Sequence, residues 1–205
     1  MAKKMTIEEI MGGRKPNSDY EGVTNSDDYI LAIDITENGA VTGETKIKEY
    51  TVAQLGVKGF ERSLNPEEQT DTYLRAGAST SKTGTQVTMS ITADRYIGDP
   101  FQDFCLDFKR IYGTGQEVIV PYVFFNILTG KGEIGRLTLM VENDGSGDAG
   151  TKAEVSINFS KVGDKPIPFD YLTDIEKTLK TIENPAVEGT ETDIISRKKE
   201  IKNEI

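Results

Sequence analysis

The side chains best suited to chemistry in this sequence are its acids. Asp144-Gly145-Ser146-Gly147-Asp148 offers oxygen ligands at spacings found in calcium loops. It lacks the bidentate glutamate at the twelfth loop position and opens no helix, and hairpin turns use the same residues for positive φ. The turn reading is preferred. Glu67-Glu68 with Asp71, and Asp27-Asp28, are paired acids. Glycoside hydrolysis needs two carboxylates about 5–9.5 Å apart across a cleft. Neighbouring acids on a surface segment meet that need only by accident, and no tryptophan is present to stack on a sugar. Solvated charge explains them better. Gly113-Thr114-Gly115 follows an expected helix and precedes an expected strand, the reverse of the order in a phosphate loop. Cys105 is the only cysteine, so it forms no internal bridge and supplies no cysteine-based zinc site. Histidine is absent, which removes the commonest general base and transition-metal ligand. Carboxylate chemistry and oxygen-bound cations stay open. No catalytic, cofactor-binding or metal-binding residue is assigned, and no cofactor is expected.

The elements that would have to position such residues belong to an ordinary globular chain. With 205 residues, 36% of them hydrophobic and 28% charged, it suits one domain, or one domain with long arms, with enough core to need no disulfide or metal. No apolar run approaches the ~20 residues of a spanning helix. Met1 to Glu9 has two lysines with no apolar run behind them, so a signal peptide is not expected, and the chain should stay in the cytoplasm where it is made. The formal charge is −10. The nearest basic block, Arg197-Lys198-Lys199, is diluted by Glu200 and Glu204. Such acidity fits plain solubility, or a surface that must not hold DNA.

Residues 1–27 read as a polar N-terminal arm with a short helix from Thr6 to Met11, Thr6 capping and Glu9 three residues on. Tyr29 to Ile35 reads as a buried strand, followed by a turn at Asn38-Gly39. Short strands are expected over 45–62, another from Glu67 to Arg75, and a mobile loop from Ala76 to Gly84. Val87, Met89, Ile91 and Ala93 alternate with Thr88, Ser90 and Thr92, which predicts a strand with one buried and one wet face. A helix over about 99–112 should follow, with Asp99 as cap, Pro100 at its first position and Gly113 ending it with positive φ. Its stripe of Phe101, Phe104, Cys105, Phe108 and Ile111 should lie on the sheet. Glu117 to Asn126 is apolar on both faces, which marks a central strand or one covered by a neighbouring subunit. Ile134 to Val141 and Ala153 to Phe159, with Val155, Ile157 and Phe159 inward, make a long hairpin around the glycine-rich turn. Pro166 and Pro168 should stop the sheet. Residues 169–205 should hold a short helix within Tyr171 to Ile182 and a flexible tail. Long strands with free edges, arms at both ends and a polar loop point to self-assembly.

The order of a wet-faced strand (Val87 to Ala93), a helix opening Asp99-Pro100-Phe101, a hydrophobic strand (Val118 to Phe125) and a hairpin ending Val155 to Pro166 resembles the tube-forming major tail proteins of tailed bacteriophages. Val57-Lys58-Gly59-Phe60-Glu61 and the stretch to Tyr73 look similar too, so the likeness spans roughly 28–168. It implies a mainly β fold with one packed helix, an α+β sandwich or barrel-like tail-tube domain over 28–168 flanked by arms. It implies a non-enzymatic structural virion protein that forms stacked, typically sixfold rings, a conduit for genome delivery made in the bacterial host cytoplasm. Its partners would be itself and other tail proteins such as a tape measure and a tail terminator, with DNA only in transit and no membrane. Asp94, Glu142, Asp144 and Glu154 would then be candidates to face the lumen. The competing readings are a β-sandwich surface-binding module for a receptor or carbohydrate, and a carboxylate hydrolase.

Overall fold

The computed structural model describes residues 5–36 and 42–185. The expected turn at Asn38-Gly39, the first four residues and everything from 186 onward, including Arg197-Lys198-Lys199, lie outside the described residues. The architecture is the mainly β one the sequence implies. Among the described residues nine strands run in chain order: β1 (Tyr29–Ile33), β2 (Thr51–Val52), β3 (Val57–Ser63), β4 (Pro66–Tyr73), β5 (Gly77–Thr85), β6 (Thr88–Asp94), β7 (Ile119–Asn126), β8 (Lys131–Ser146) and β9 (Glu154–Asp170). Seven of them form one antiparallel sheet in the order β2-β1-β7-β8-β9-β6-β3, while β4 and β5 pair only with each other.

The sheet curls because long strands are interrupted by bulges, each adding local twist. Register shifts fall at Ile134/Arg136 and Val141/Asn143 between β8 and β9, and at Val57/Gly59 on β3. The curl brings Phe60 of the last strand onto Phe124 of β7, with ring centroids 5.6 Å apart. Tyr122 fits against β8 because its register partner is Gly135, where an added Cβ would meet the ring at 3.3 Å.

Two cores result. Inside the curl lie Leu31, Ile33, Val87, Met89, Ile91, Val120, Tyr122, Leu137, Val155, Ile157 and Phe159, closed by Phe101 and Cys105. Behind β1 and β7 lie Ile30, Val123, Phe125, Ile134 and Phe169, covered by Ile7, Met11, Ile47, Tyr50 and Leu179. The two-sided apolar pattern of β7 therefore reflects a central strand covered on both faces by its own chain. Burial of the Cys105 thiol pushes its pKa up, which leaves it an inert core residue.

Several expectations are corrected. The predicted helix over 99–112 is two short helices, α2 (Pro100–Cys105) and α3 (Phe108–Tyr112), after α1 (Ile7–Met11). Asp107 leaves helical geometry and its side chain accepts a hydrogen bond from Lys109 N at 2.9 Å, so it caps a new helix and the apolar stripe loses phase. Phe108 is consequently 75% exposed and meets Tyr112 in a tilted contact with ring centroids 4.7 Å apart. Phe104 is only partly buried, under the Arg110 guanidinium at 4.4 Å, and Ile111 is half-buried. Gly113 has φ −69°, so positive φ is not its purpose; an added Cβ would sit 2.0 Å from Lys109 O.

The prolines do not stop the sheet. β9 pairs with β8 through Ile134↔Ile167 and Glu133↔Pro168, while its pairing with β6 ends at Ser160. Beyond that point its other side is an edge, where proline's missing N–H leaves no gap. The N-terminal helix is not part of a free arm, since Ile7 and Met11 are fully enclosed. Its Thr6–Glu9 capping box forms as expected. The single C-terminal helix is also divided, into α4 (Tyr171–Asp174), capped by Asp170, and α5 (Leu179–Glu183), capped by Thr178. Phe169 and Leu179 anchor this region in the second core.

Candidate assembly surfaces

The two edges of the sheet are built differently. At the β2 edge, Val52 N donates to Met5 O at 2.9 Å, Thr6 bridges Thr51, and Ile7 N donates to Tyr50 O at 3.2 Å. The N-terminal segment thus satisfies the outer backbone groups of a strand two residues long. Behind this seal the buried Asp34 carboxylate accepts from Thr36 N at 2.9 Å and from its hydroxyl at 2.7 Å.

At the other edge, β3 pairs with β6 and, among the described residues, with nothing on its outer side. It carries devices that blunt indiscriminate pairing: a bulge and the charged residues Lys58, Glu61 and Arg62. Arg62 turns inward, its guanidinium 5.0 Å from the Phe124 centroid and 2.8 Å from Glu133 Oε2. Glu133 Oε1 accepts the Tyr122 hydroxyl at 2.9 Å. Burial, reinforced by that carboxylate, holds the Tyr122 phenol well above its ordinary pKa, so it stays a donor. This network ties the open edge to the middle of the sheet across the mouth of the curl.

The β4–β5 hairpin replaces the mobile loop expected at Ala76 to Gly84. Small and hydroxylated residues predicted a loop, yet Thr and Ser suit a fully paired ribbon, and Thr70 and Thr80 hydroxyls meet across it at 2.9 Å. Its side chains are exposed apart from Gly84 and Thr85 at its base. Leu74, in its turn, is 98% exposed beside the exposed Tyr73. The base is pinned where Asn65, at φ 40°, donates through Nδ2 to Gln86 O at 3.1 Å and to Thr88 Oγ1 at 2.9 Å.

The convex face of the sheet is mostly neutral and polar, with Glu61 and the exposed Met140 set in the row of Ser90 and Asn158. Cross-strand register aligns Thr88, Ser90 and Thr92 of β6 with Ser160, Asn158 and Ser156 of β9, and Thr138 and Met140 of β8 continue the rows. The candidate acids sit toward one end of it. Asp94 and Glu154 are register partners. Lys58 pairs with Asp94 and lies 3.6 Å from Glu154, and Lys152 reaches Asp94 at 3.1 Å. The Lys58 ammonium, more than the opposing burial, holds Asp94 below the usual carboxylate range. Glu142 and Asp144 lie exposed where β8 runs into the turn. The structure therefore brings Asp94 and Glu154 together but pairs them with lysines, leaving Glu142 and Asp144 as open charge. The glycine-rich turn is organised by Asn143, whose Oδ1 accepts from Gly145 N and Ser146 N at 3.1 and 2.9 Å.

Among the described residues no group of three or more His, Cys, Asp or Glu is arranged to hold a metal ion, and no helix is long and apolar enough to cross a membrane. One structural residue escaped the sequence reading. Gln102 is buried; its Nε2 donates to Leu55 O and Asp94 O at 2.8 and 3.1 Å, and its Oε1 accepts from Tyr96 N at 2.9 Å. It stitches α2 to the ends of β6 and the β2–β3 loop. Its one signal was an amide next to Phe101 in a helix expected to bury that side.

No protein-family model matches the chain, and no curated protein matches it. Solved structures do. The chain is 14% identical to a chain in the virion of a native gene transfer agent particle, covering 69% of this chain and 96% of that one at a TM-score of 0.46. It is 17% identical to a chain in the tail of an empty particle of the same kind with C6 symmetry, at the same coverage and TM-score. It is 12% identical to a chain in the structure of an extracellular contractile injection system's sheath/tube terminator in the extended state, covering 72% of this chain and 97% of that one at a TM-score of 0.34.

Proposed function

We propose that this chain is a structural tail-tube subunit that assembles with copies of itself into rings and stacks enclosing a channel, and that it performs no catalysis. The observation that carries this is the β4–β5 hairpin. It is a two-stranded ribbon with no apolar face to bury on its own chain, and such a ribbon is marginal at best in isolation. Fixing each residue costs about 1–2 kcal/mol of backbone entropy. A neighbouring molecule is the natural source of the missing contacts, with Tyr73 and Leu74 as its apolar tip.

The open β3 edge and the polar convex face fit the same reading. A heterologous contact that uses an edge and closes on itself gives a ring. A channel wall dominated by threonine, serine and asparagine, in which Lys58 and Lys152 are held in ion pairs, offers a polyanion few free cations with which to exchange counterions. In this reading Glu142 and Asp144 add repulsive charge at one end of the channel, while Asp94 and Glu154 contribute little because Lys58 and Lys152 neutralise them. A tape-measure-like protein inside the channel and a terminator at its end would be the other partners, and the particle tail its location.

Electron microscopy of the concentrated, purified full chain tests the proposal. Rings or tubes of constant bore are expected. A chain that stays monomeric at every concentration, or that binds glycans as a monomer, would contradict it.

A further inference from the structure

We infer that Arg136 is a two-position switch: it ties the last turn of α5 to the body through Glu183, and when that turn lifts it re-pairs with the buried Asp34 carboxylate. At the end of the second core two buried groups lack partners. Asp34 is 2% exposed; its Oδ1 accepts both hydrogen bonds from Thr36, while its Oδ2 has no hydrogen-bond partner among the described residues. The hydroxyl of the fully enclosed Tyr50 has none either. Burial without a partner is costly for a hydroxyl and more so for a carboxylate.

The register places a cation within reach of both. Asp34 N donates to Pro121 O at 3.0 Å, one step past Ile33↔Tyr122 in the β1–β7 ladder, and Pro121 is the partner of Arg136 on β8. Asp34, Pro121 and Arg136 therefore form one cross-strand row. It faces the second core, because Ala32, Val123 and Ile134, two residues along each strand, are buried there. Two strand spacings, roughly 9–10 Å, separate the Asp34 and Arg136 backbones. An extended arginine and an aspartate span that gap over the Pro121 ring. The Tyr50 phenol senses all three charges: burial, then Asp34, holds its pKa above the ordinary value, Arg136 lowers it and Glu183 raises it.

In the structure Arg136 is turned the other way. Its Nη1 pairs with Glu183 Oε1, both side chains half-buried, and its Nη2 lies under Gly43, where an added Cβ would be 3.5 Å away. Leu179 anchors the start of α5 in the second core. The turn beyond it is held by the Glu183 pair, by the partly buried Ile182, and by bonds from Ile182 N to Thr178 O at 3.2 Å and from Asn184 N to Lys180 O at 3.0 Å. Lifting that turn returns Glu183 to water and frees Arg136 to cross Pro121. There its guanidinium donates to Asp34 Oδ2 and to the Tyr50 hydroxyl, satisfying both. One ion pair is exchanged for another, so release costs less than breaking a half-buried pair outright.

The switch does not depend on self-assembly. Amide exchange at Ile182 and Asn184, whose bonds close the last turn of α5, tests it on the dispersed full chain. Glu183→Gln should speed that exchange about tenfold. Asp34→Asn keeps an acceptor for Thr36 and should slow it about threefold, because the alternative partner is gone and the present one remains. Tyr50→Phe keeps the ring packing and should slow it in the same direction. Asp34→Asn combined with Glu183→Gln should fall between the two single variants. An ion pair that only holds α5 in place predicts no change, or faster exchange, on altering Asp34 or Tyr50. A folded Asp34→Asn protein whose α5 exchange is unchanged or faster overturns the inference. If Asp34→Asn does not fold, Tyr50→Phe decides by the same criterion.

Discussion

The two ends of one sheet are finished in opposite ways. The β2 edge is sealed by Met5 to Ile7 and backed by a core containing Ile7, Met11, Tyr50 and Leu179. The β3 edge is left open on its outer side among the described residues, guarded by charge and a bulge, and the strand leads directly into a hairpin with no core of its own. A chain able to close one edge with its own terminus has not closed the other. One edge is thus covered by backbone pairing and the other only blunted by charge and a bulge, which leaves the β3 backbone groups open to a partner in the proposed assembly.

The contrast can be broken from either side. The largest effect is expected at the sealed edge: Ile7→Ala should cost about 2–5 kcal/mol in denaturant melting, because its side chain is fully enclosed in the second core. A loss under ~1 kcal/mol would mean the N-terminal helix is not part of the fold. Phe60→Ala at the open edge should cost less, about 1–2 kcal/mol, since the ring is only partly buried and stacks on Phe124. An equal or larger loss than at Ile7 would erase the distinction between the edges.

The ion pairs at the end of β3 give a pH signature. The Asp94 carboxyl is held below its ordinary range in the folded state, so its contribution is full above the unfolded value near ~3.9 and lost as pH falls through the lower folded value. The difference in Tm between the wild type and Asp94→Asn should be constant from pH 7 to 5 and shrink as pH falls below about 4. A difference that persists unchanged to the lowest pH would show that Asp94 acts by packing alone. The smallest effect on stability belongs to the hairpin: Leu74→Asp should stay within about 0.5 kcal/mol of wild type in the dispersed protein, yet weaken assembly. A variant that assembles normally would remove the tip from the interface.

Much of the sheet was legible because period-two alternation is a direct print of a half-buried strand. Val87, Met89, Ile91 and Ala93 are buried, as are Val155, Ile157 and Phe159. Where reading failed, a local competitor beat the pattern. Asp107 interrupted a helix whose stripe looked continuous to Ile111, and no apolar period reveals a capping aspartate inside a helix. The first hairpin strand was expected over Glu67 to Arg75 and is β4, but its partner β5 was missed because its small, exposed residues carry no apolar alternation to read. Pro166 and Pro168 misled because the strand they occupy is central in its first half and an edge in its second, which depends on where β6 ends. The candidate acids could be named from sequence, but their lysine partners could not. Lys58 reaches Asp94 and Glu154 only because β3 lies beside β6, a pairing across a long insertion.

Amide hydrogen exchange on dispersed and assembled protein addresses the central claim directly. Amides of Tyr29–Ile33 and Val52 should be protected in both states, while the outward-facing amides of Val57–Ser63 and those of the hairpin from Glu67 to Thr85 should exchange rapidly when dispersed and become protected on assembly. Hairpin amides already as slow as the sealed edge in the dispersed chain, or still fast in the assembled one, would contradict the account.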